Sequence, residues 1–179
     1  MSSINFRARP IIITDIETTG LDPRRHEIID IGAIKVDHNL EVLDRFDMKV
    51  WPMRLHTAEP EALRINGYSP FLWQGAFSSI TAARKFQEFS AEGILCAWNI
   101  TFEYNFLDQL FRDIDTPSTM DYHRIDIPSI AWERLPELKH LSMNAVAEHF
   151  GMPREPEPHR GITGAEYELE ILRRLRDKL

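Results

Sequence analysis

The chain has 179 residues, 43% of them hydrophobic, enough for one compact domain spanning residues 1–179 with a sizeable core and too few for two ordinary domains. Its net charge of −7, from 21 Lys+Arg against 28 Asp+Glu, argues against a broad cationic surface for phosphate backbones. Any contact with nucleic acid therefore has to be local, and a bound divalent cation is one way for an acidic site to attract phosphate. The single cysteine, Cys96, lies in the apolar run Ile94-Leu95-Cys96-Ala97 and reads as a small buried hydrophobe. No stretch approaches the roughly 18 apolar residues of a membrane span, and Met1 to Arg7 hold no apolar segment of the secretory kind, so the expectation is a soluble, cytoplasmic protein with no membrane partner.

Ile11, Ile12 and Ile13 follow Pro10 and predict a buried strand ending near Asp15. Ile28 to Val36 predicts a second strand and Val42 to Val50 a third, so the chain opens as an antiparallel meander. A short helix is expected from about Pro60 to Asn66, closed by Gly67, and a longer one from about Ser79 to Ser90. Ile94 to Ala97 reads as a short buried strand, and the four-residue spacing of Phe102, Phe106 and Leu110 marks a helix with an apolar stripe. Another strand is expected around Tyr122 to Ile127. Ser142 is the expected N-cap of a helix through Phe150, with Gly151 as its stop, and three prolines (Pro153, Pro156, Pro158) exclude regular structure from Gly151 to Pro158. A final helix is expected from about Thr163 to Leu179. This order predicts an α/β domain, a mixed sheet with helices on its faces.

Asp15-Ile16-Glu17-Thr18-Thr19-Gly20 puts two carboxylates two residues apart directly after an apolar strand. Side chains at i and i+2 of a strand share a face, so both acids can point at one spot, where hard cations such as Mg²⁺ or Mn²⁺ take oxygen ligands. The same pair also fits the solvated end of an ordinary strand.

Three segments decide between these readings: Asp15 to Gly20 after a strand, Trp98-Asn99-Ile100-Thr101-Phe102-Glu103 at the start of a helix, and His159-Arg160-Gly161-Ile162-Thr163-Gly164-Ala165 before the last helix. Together they resemble, in order and spacing, the DEDDh (DnaQ-like) 3′-5′ exonucleases of the ribonuclease H-like superfamily. The resemblance extends to Glu61 to Gly67 and Leu141 to Val146 and implies a five-stranded mixed sheet flanked by helices. It also implies hydrolysis at the 3′ end of DNA or RNA with two divalent ions, Mg²⁺ or Mn²⁺. By the same resemblance, Asp15 bridges both metals, Glu17 binds one of them, and His159 is the general base, a role suited to a side chain type that titrates near neutrality. Thr18, Thr19, Gly20 and Leu21 would line the terminal nucleotide. Phe102 either stacks on a base or packs in the core, and Trp98, where many relatives carry histidine, either stacks or packs.

Two positions depart from the family pattern. Glu103 replaces an aspartate, keeping the charge but moving the carboxylate by roughly an ångström, which can cost rate where geometry is tight; Glu103 is thus either a metal ligand or a first-turn glutamate favoured by the helix dipole. At Gly164 the aspartate expected five residues after the histidine is missing. Glu166, about 200° around the helix, should face away, while Glu168, one turn on, shares the face of Gly164 and leans toward the helix start. Glu168 either reaches over the space left by the glycine or is an ordinary solvent-facing glutamate. The functional alternatives are a 3′-5′ exonuclease, a catalytically impaired module that binds nucleic-acid ends, and a phosphoesterase of small nucleotides. Several relatives in this family pair as dimers, so a homodimer is a further expectation.

Overall fold

The computed structural model describes residues 5–177, and these residues form a five-stranded sheet and six α-helices. The expectations for Met1 to Ile4 and for the last turn to Leu179 lie outside the described residues. In chain order the elements are β1 (Ile11–Thr18), β2 (Ile28–Val36), β3 (Val42–Lys49), α1 (Pro60–Ile65), α2 (Ser79–Ser90), β4 (Ile94–Ala97), α3 (Ile100–Asp113), β5 (Arg124–Asp126), α4 (Ile127–Arg134), α5 (Met143–His149) and α6 (Gly161–Asp177). The sheet order is β3-β2-β1-β4-β5: the first three strands pair antiparallel, while β4 joins β1 and β5 joins β4 in parallel.

The pleat of β1 sends its isoleucines alternately to two cores. Ile12 lies with Ile31, Ala33 and Leu95 under Phe86 of α2 and Phe106, Leu107 and Phe111 of α3. Ile13 lies with Ile34, Val36 and Cys96 under α4, α5 and α6, through Ile127, Val146, Leu169 and Leu172. Each fully buried isoleucine is worth about 1.5–3 kcal/mol of transfer free energy, so two covered faces explain why β1, β2 and β4 read as apolar runs instead of alternating ones. Cys96 is fully buried, as the sequence predicts, and burial pushes its thiol well above the usual range.

Three boundaries differ from expectation. β1 does not end near Asp15; its pairing with β2 continues through Asp15↔Gly32 and Glu17↔Asp30 to a register shift at Thr18, so both acids sit within the strand. The strand expected around Tyr122 is confined to three residues because the carboxylate of Asp126 accepts from the Ser129 amide, capping α4, with Pro128 in its first turn. α6 starts at Gly161, two residues early. No helix among the described residues is long and apolar enough to cross a membrane.

Candidate active site

The carboxyl ends of the parallel strands β1 and β4 open into a cavity of about 350 Å³, the usual place for a ligand beside a sheet of this kind. Asp15 and Glu17 come from β1, Trp98 and Asn99 from the turn after β4, and Phe102 and Glu103 from the first turn of α3. Glu168 enters from α6, and Glu155 and His159 from the loop before it. The structure thus brings Asp15, Glu17, Glu103 and His159 to one cavity, with Thr18, Leu21 and Phe102 on the same lining.

Thr19 and Gly20 do not line it. Thr19 is fully buried; its amide donates to the Glu27 carbonyl and its hydroxyl accepts from the Glu27 amide, which closes the loop after β1. Gly20 is packed against the His26 ring, where a Cβ would come within 2.6 Å. These two residues shape the turn that presents Leu21, which is 74% exposed at the cavity mouth. Phe102 packs on Phe106 with ring centroids 4.8 Å apart and keeps part of its surface in the cavity.

His159 is positioned from two sides. Its amide donates to the Ile65 carbonyl at the end of α1, and Pro158 lies against Gly67, whose φ of +64° provides the left-handed stop predicted for that helix. The buried side chain of Asn66 donates to the Thr18 carbonyl, tying α1 back to β1. Beside His159, the Arg160 guanidinium binds the buried Asp30 carboxylate at 2.5 Å and Asp47 at 3.3 Å, so its charge is spent on the sheet. The His159 Nδ1 stands 3.8 Å from Glu155 Oε2. Sequence reading missed Glu155, because it lies in the Pro-rich stretch where no periodicity assigns a side-chain direction.

Glu103 and Glu168 are both buried, at 4% and 1% exposure, and each keeps one carboxylate oxygen, Oε2, buried without a hydrogen-bond partner. Glu168 is therefore not the solvent-facing glutamate that the sequence allowed, and Glu103 stands in the first turn of α3. Glu166 does face away, exposed and paired with Arg45. The other oxygen of Glu168, Oε1, accepts from the Trp98 amide at 2.9 Å. The space at Gly164 is not open either: a Cβ there would lie 2.2 Å from Asp15 Oδ2, so the Asp15 carboxylate already fills it.

Crowding of carboxylates out of water raises their affinity for protons. Burial pushes Asp15 well above the usual range, reinforced by Glu168, then Glu17, Glu103 and Glu155. Glu17 is pushed up to about 8 by burial and by Asp30 and Glu155, against the pull of Arg160, and Glu103 is pushed up to about 8, mainly by burial. Glu155 and Glu168 are raised as well, first by burial. A low-dielectric pocket of mutually repelling carboxylates with two unpaired oxygens fits hard divalent cations, which supply the missing positive charge and take oxygen donors. Among the described residues no three such side chains already stand in metal-holding geometry, so the acids surround the cavity without closing on a point.

The mixed five-stranded sheet flanked by helices is a ribonuclease H-like fold. The family model described as Exonuclease matches residues 12–172, and the chain belongs to that family. It is similar to the DNA polymerase III PolC-type of Clostridium perfringens, 28% identical over 162 residues that make up 90% of this chain and 11% of that protein. Its fold matches E. coli exonuclease I in complex with a dT13 oligonucleotide, with a TM-score of 0.81 and 14% identity over 95% of this chain and 41% of that one. The zinc-bound form of an E. coli exonuclease I complex with single-stranded DNA matches with a TM-score of 0.80 at 14% identity, over 95% of this chain and 42% of that one. The chain thus spans about a tenth of the PolC-type relative's length and about two fifths of exonuclease I.

Proposed function

We propose that the protein is a metal-dependent 3′-5′ exonuclease that hydrolyses the terminal phosphodiester of a single DNA or RNA strand. The observation that carries this reading is the convergence of Asp15, Glu17, Glu103 and His159 on one cavity in which buried carboxylate oxygens lack partners. Asp15, Glu17 and Glu103 would hold Mg²⁺ or Mn²⁺. When bound, such a pair of ions stabilises the entering and leaving oxygens of in-line displacement at phosphorus.

The side chains then divide the remaining work. With Nδ1 turned to Glu155, His159 has Nε2 free to take a proton from the attacking water; the water oxygen bonds to phosphorus, the bond to the 3′ oxygen of the penultimate nucleotide breaks, and a 5′-mononucleotide leaves. Leu21 and the free face of Phe102 would pack on the terminal bases, the stacking on the Phe102 ring being worth roughly 1–3 kcal/mol. In the similar exonuclease I structures the ligand is a single-stranded oligonucleotide, which supports this choice of substrate.

One observation favours a second reading. Gly164 lacks the carboxylate of the third motif, and a chain with too few ligands would bind strand ends without cutting them. Degradation of 5′-labelled single strands in Mn²⁺, set against an Asp15→Asn control, separates the two: a ladder lost in the control supports the exonuclease, whereas strand binding with no ladder from the parent protein supports the binding module.

A further inference from the structure

We infer that Glu168 supplies the carboxylate that Gly164 lacks, as a cation ligand reaching back from one helical turn further along α6. The inference rests on the metal-dependent reading above and adds a residue and a ligand set to it.

Four observations carry it. Glu168 is 1% exposed and lines the same cavity as Asp15 and Glu103. One of its oxygens is held by the Trp98 amide at 2.9 Å, which fixes the head group, while Oε2 is buried with no partner. A buried glutamate kept only for packing would be expected to satisfy both oxygens or give way to an apolar residue, since an unpaired buried oxygen costs about 1–3 kcal/mol. Third, among the described residues that line this cavity none is a lysine or arginine, so no side-chain cation offsets the charge of Asp15 and Glu168 there. Finally, the backbone at Gly164 is pressed against the Asp15 carboxylate and has no room for an acid of its own.

Helical geometry makes the exchange workable. Residues four apart lie on one face about one turn apart, and helical side chains lean toward the N-terminus. A glutamate, one methylene longer than aspartate, can bring its carboxylate from position 168 back toward the place an aspartate at 164 would serve. The ligand set assigned to this chain is thus Asp15, Glu17, Glu103 and Glu168, with the Trp98 amide orienting the last.

The test measures Mn²⁺ binding directly, by the free-ion electron paramagnetic resonance signal and by calorimetry, together with melting temperature with and without Mn²⁺. Glu168→Gln keeps the shape and an acceptor for the Trp98 amide but removes the charge. The expected result is metal-free melting like the parent's, Mn²⁺ affinity reduced by about tenfold or more or one of two ions lost, and a smaller Mn²⁺-induced rise in melting temperature. Parental Mn²⁺ affinity and stoichiometry in Glu168→Gln, with binding lost in Asp15→Asn, would overturn the role of Glu168 and leave the metal-dependent reading standing. Binding unchanged in Asp15→Asn as well, or absent from the parent, would remove that reading and this one with it. If Glu168→Gln fails to fold, Glu168→Asp withdraws the carboxylate while keeping its charge; affinity between those of the parent and Asp15→Asn supports the assignment, and parental affinity refutes it.

Discussion

Gly164→Asp restores the residue type that the family pattern expects, yet it should damage the protein. The new Cβ would lie 2.2 Å from Asp15 Oδ2 and 3.1 Å from Asp15 Cβ, more than an ångström short of the 3.4 Å at which ordinary contact with the oxygen begins. Drawing α6 back would break the backbone contact that Gly161 makes one turn earlier with β2 at Gly32 and with β1 at Asp15. The Asp15 carboxylate must therefore swing out of its position. Overpacking of this kind costs about 1–3 kcal/mol, and each kcal/mol lowers the melting temperature of a chain this size by roughly 2–4 °C. A catalytic carboxylate misplaced by about 1 Å costs on the order of 10²-fold in rate. Gly164→Ala separates the steric effect from the added charge and should show most of both losses. Melting curves and turnover of a 5′-labelled strand are the assays. A Gly164→Asp protein that melts with the parent and cuts faster would refute the reasoning, since the cavity would then have had room for the missing acid.

Four other outcomes are expected. In the folded protein without divalent ions, Glu17 and Glu103 hold their protons up to about pH 8, whereas unfolded chains release them near 4.5; the folded state binds more protons, so stability falls as pH rises from about 4.5 through 8. Metal-free melts between pH 5.5 and 8.5 should show that decline, Mg²⁺ should reduce it, and a flat metal-free profile would contradict it. His159→Ala should lower kcat by about 10²–10⁴-fold while strand affinity, measured by fluorescence anisotropy, changes little. Arg160→Met leaves the buried Asp30 without its cation and should destabilise by about 3 kcal/mol in urea titrations, with Asp30→Asn recovering part of the loss in the double variant. Leu21→Ala, at a position 74% exposed, should weaken strand binding by about 1 kcal/mol through lost apolar burial and leave the melting temperature unchanged.

Much of the fold was legible because its signals are local. The isoleucine run of β1, the Gly67 stop of α1, the Ser142 cap of α5 and the Phe102, Phe106, Leu110 stripe each depend on neighbours within a few residues. α4 escaped notice although Asp126 followed by Pro128 and Ser129 is a helix start, because the apolar residues around it also fit a strand. The candidate site was legible as far as residue types at motif positions reach. What escaped depends on packing between distant segments. The cavity-lining place of Glu155 follows from how a proline-rich loop folds over β1, and the burial of Glu168 from how α6 lies against the turn after β4. Thr19 is the converse case: its motif position suggested substrate, and a hydrogen bond to the Glu27 amide, eight residues on, claimed its hydroxyl.

The meeting of Gly32 with Gly161 sets how far apart the pieces of the site stand. A Cβ on Gly32 would come within 1.9 Å of the Gly161 carbonyl carbon, so strand and helix meet backbone to backbone with no side chain as a spacer. The gap between the acids of the strand and the histidine loop is consequently gauged by two main chains in contact, a length that substitutions deeper in either core leave alone. A single methyl group at the seam would wedge the loop outward and change every distance across the cavity at once.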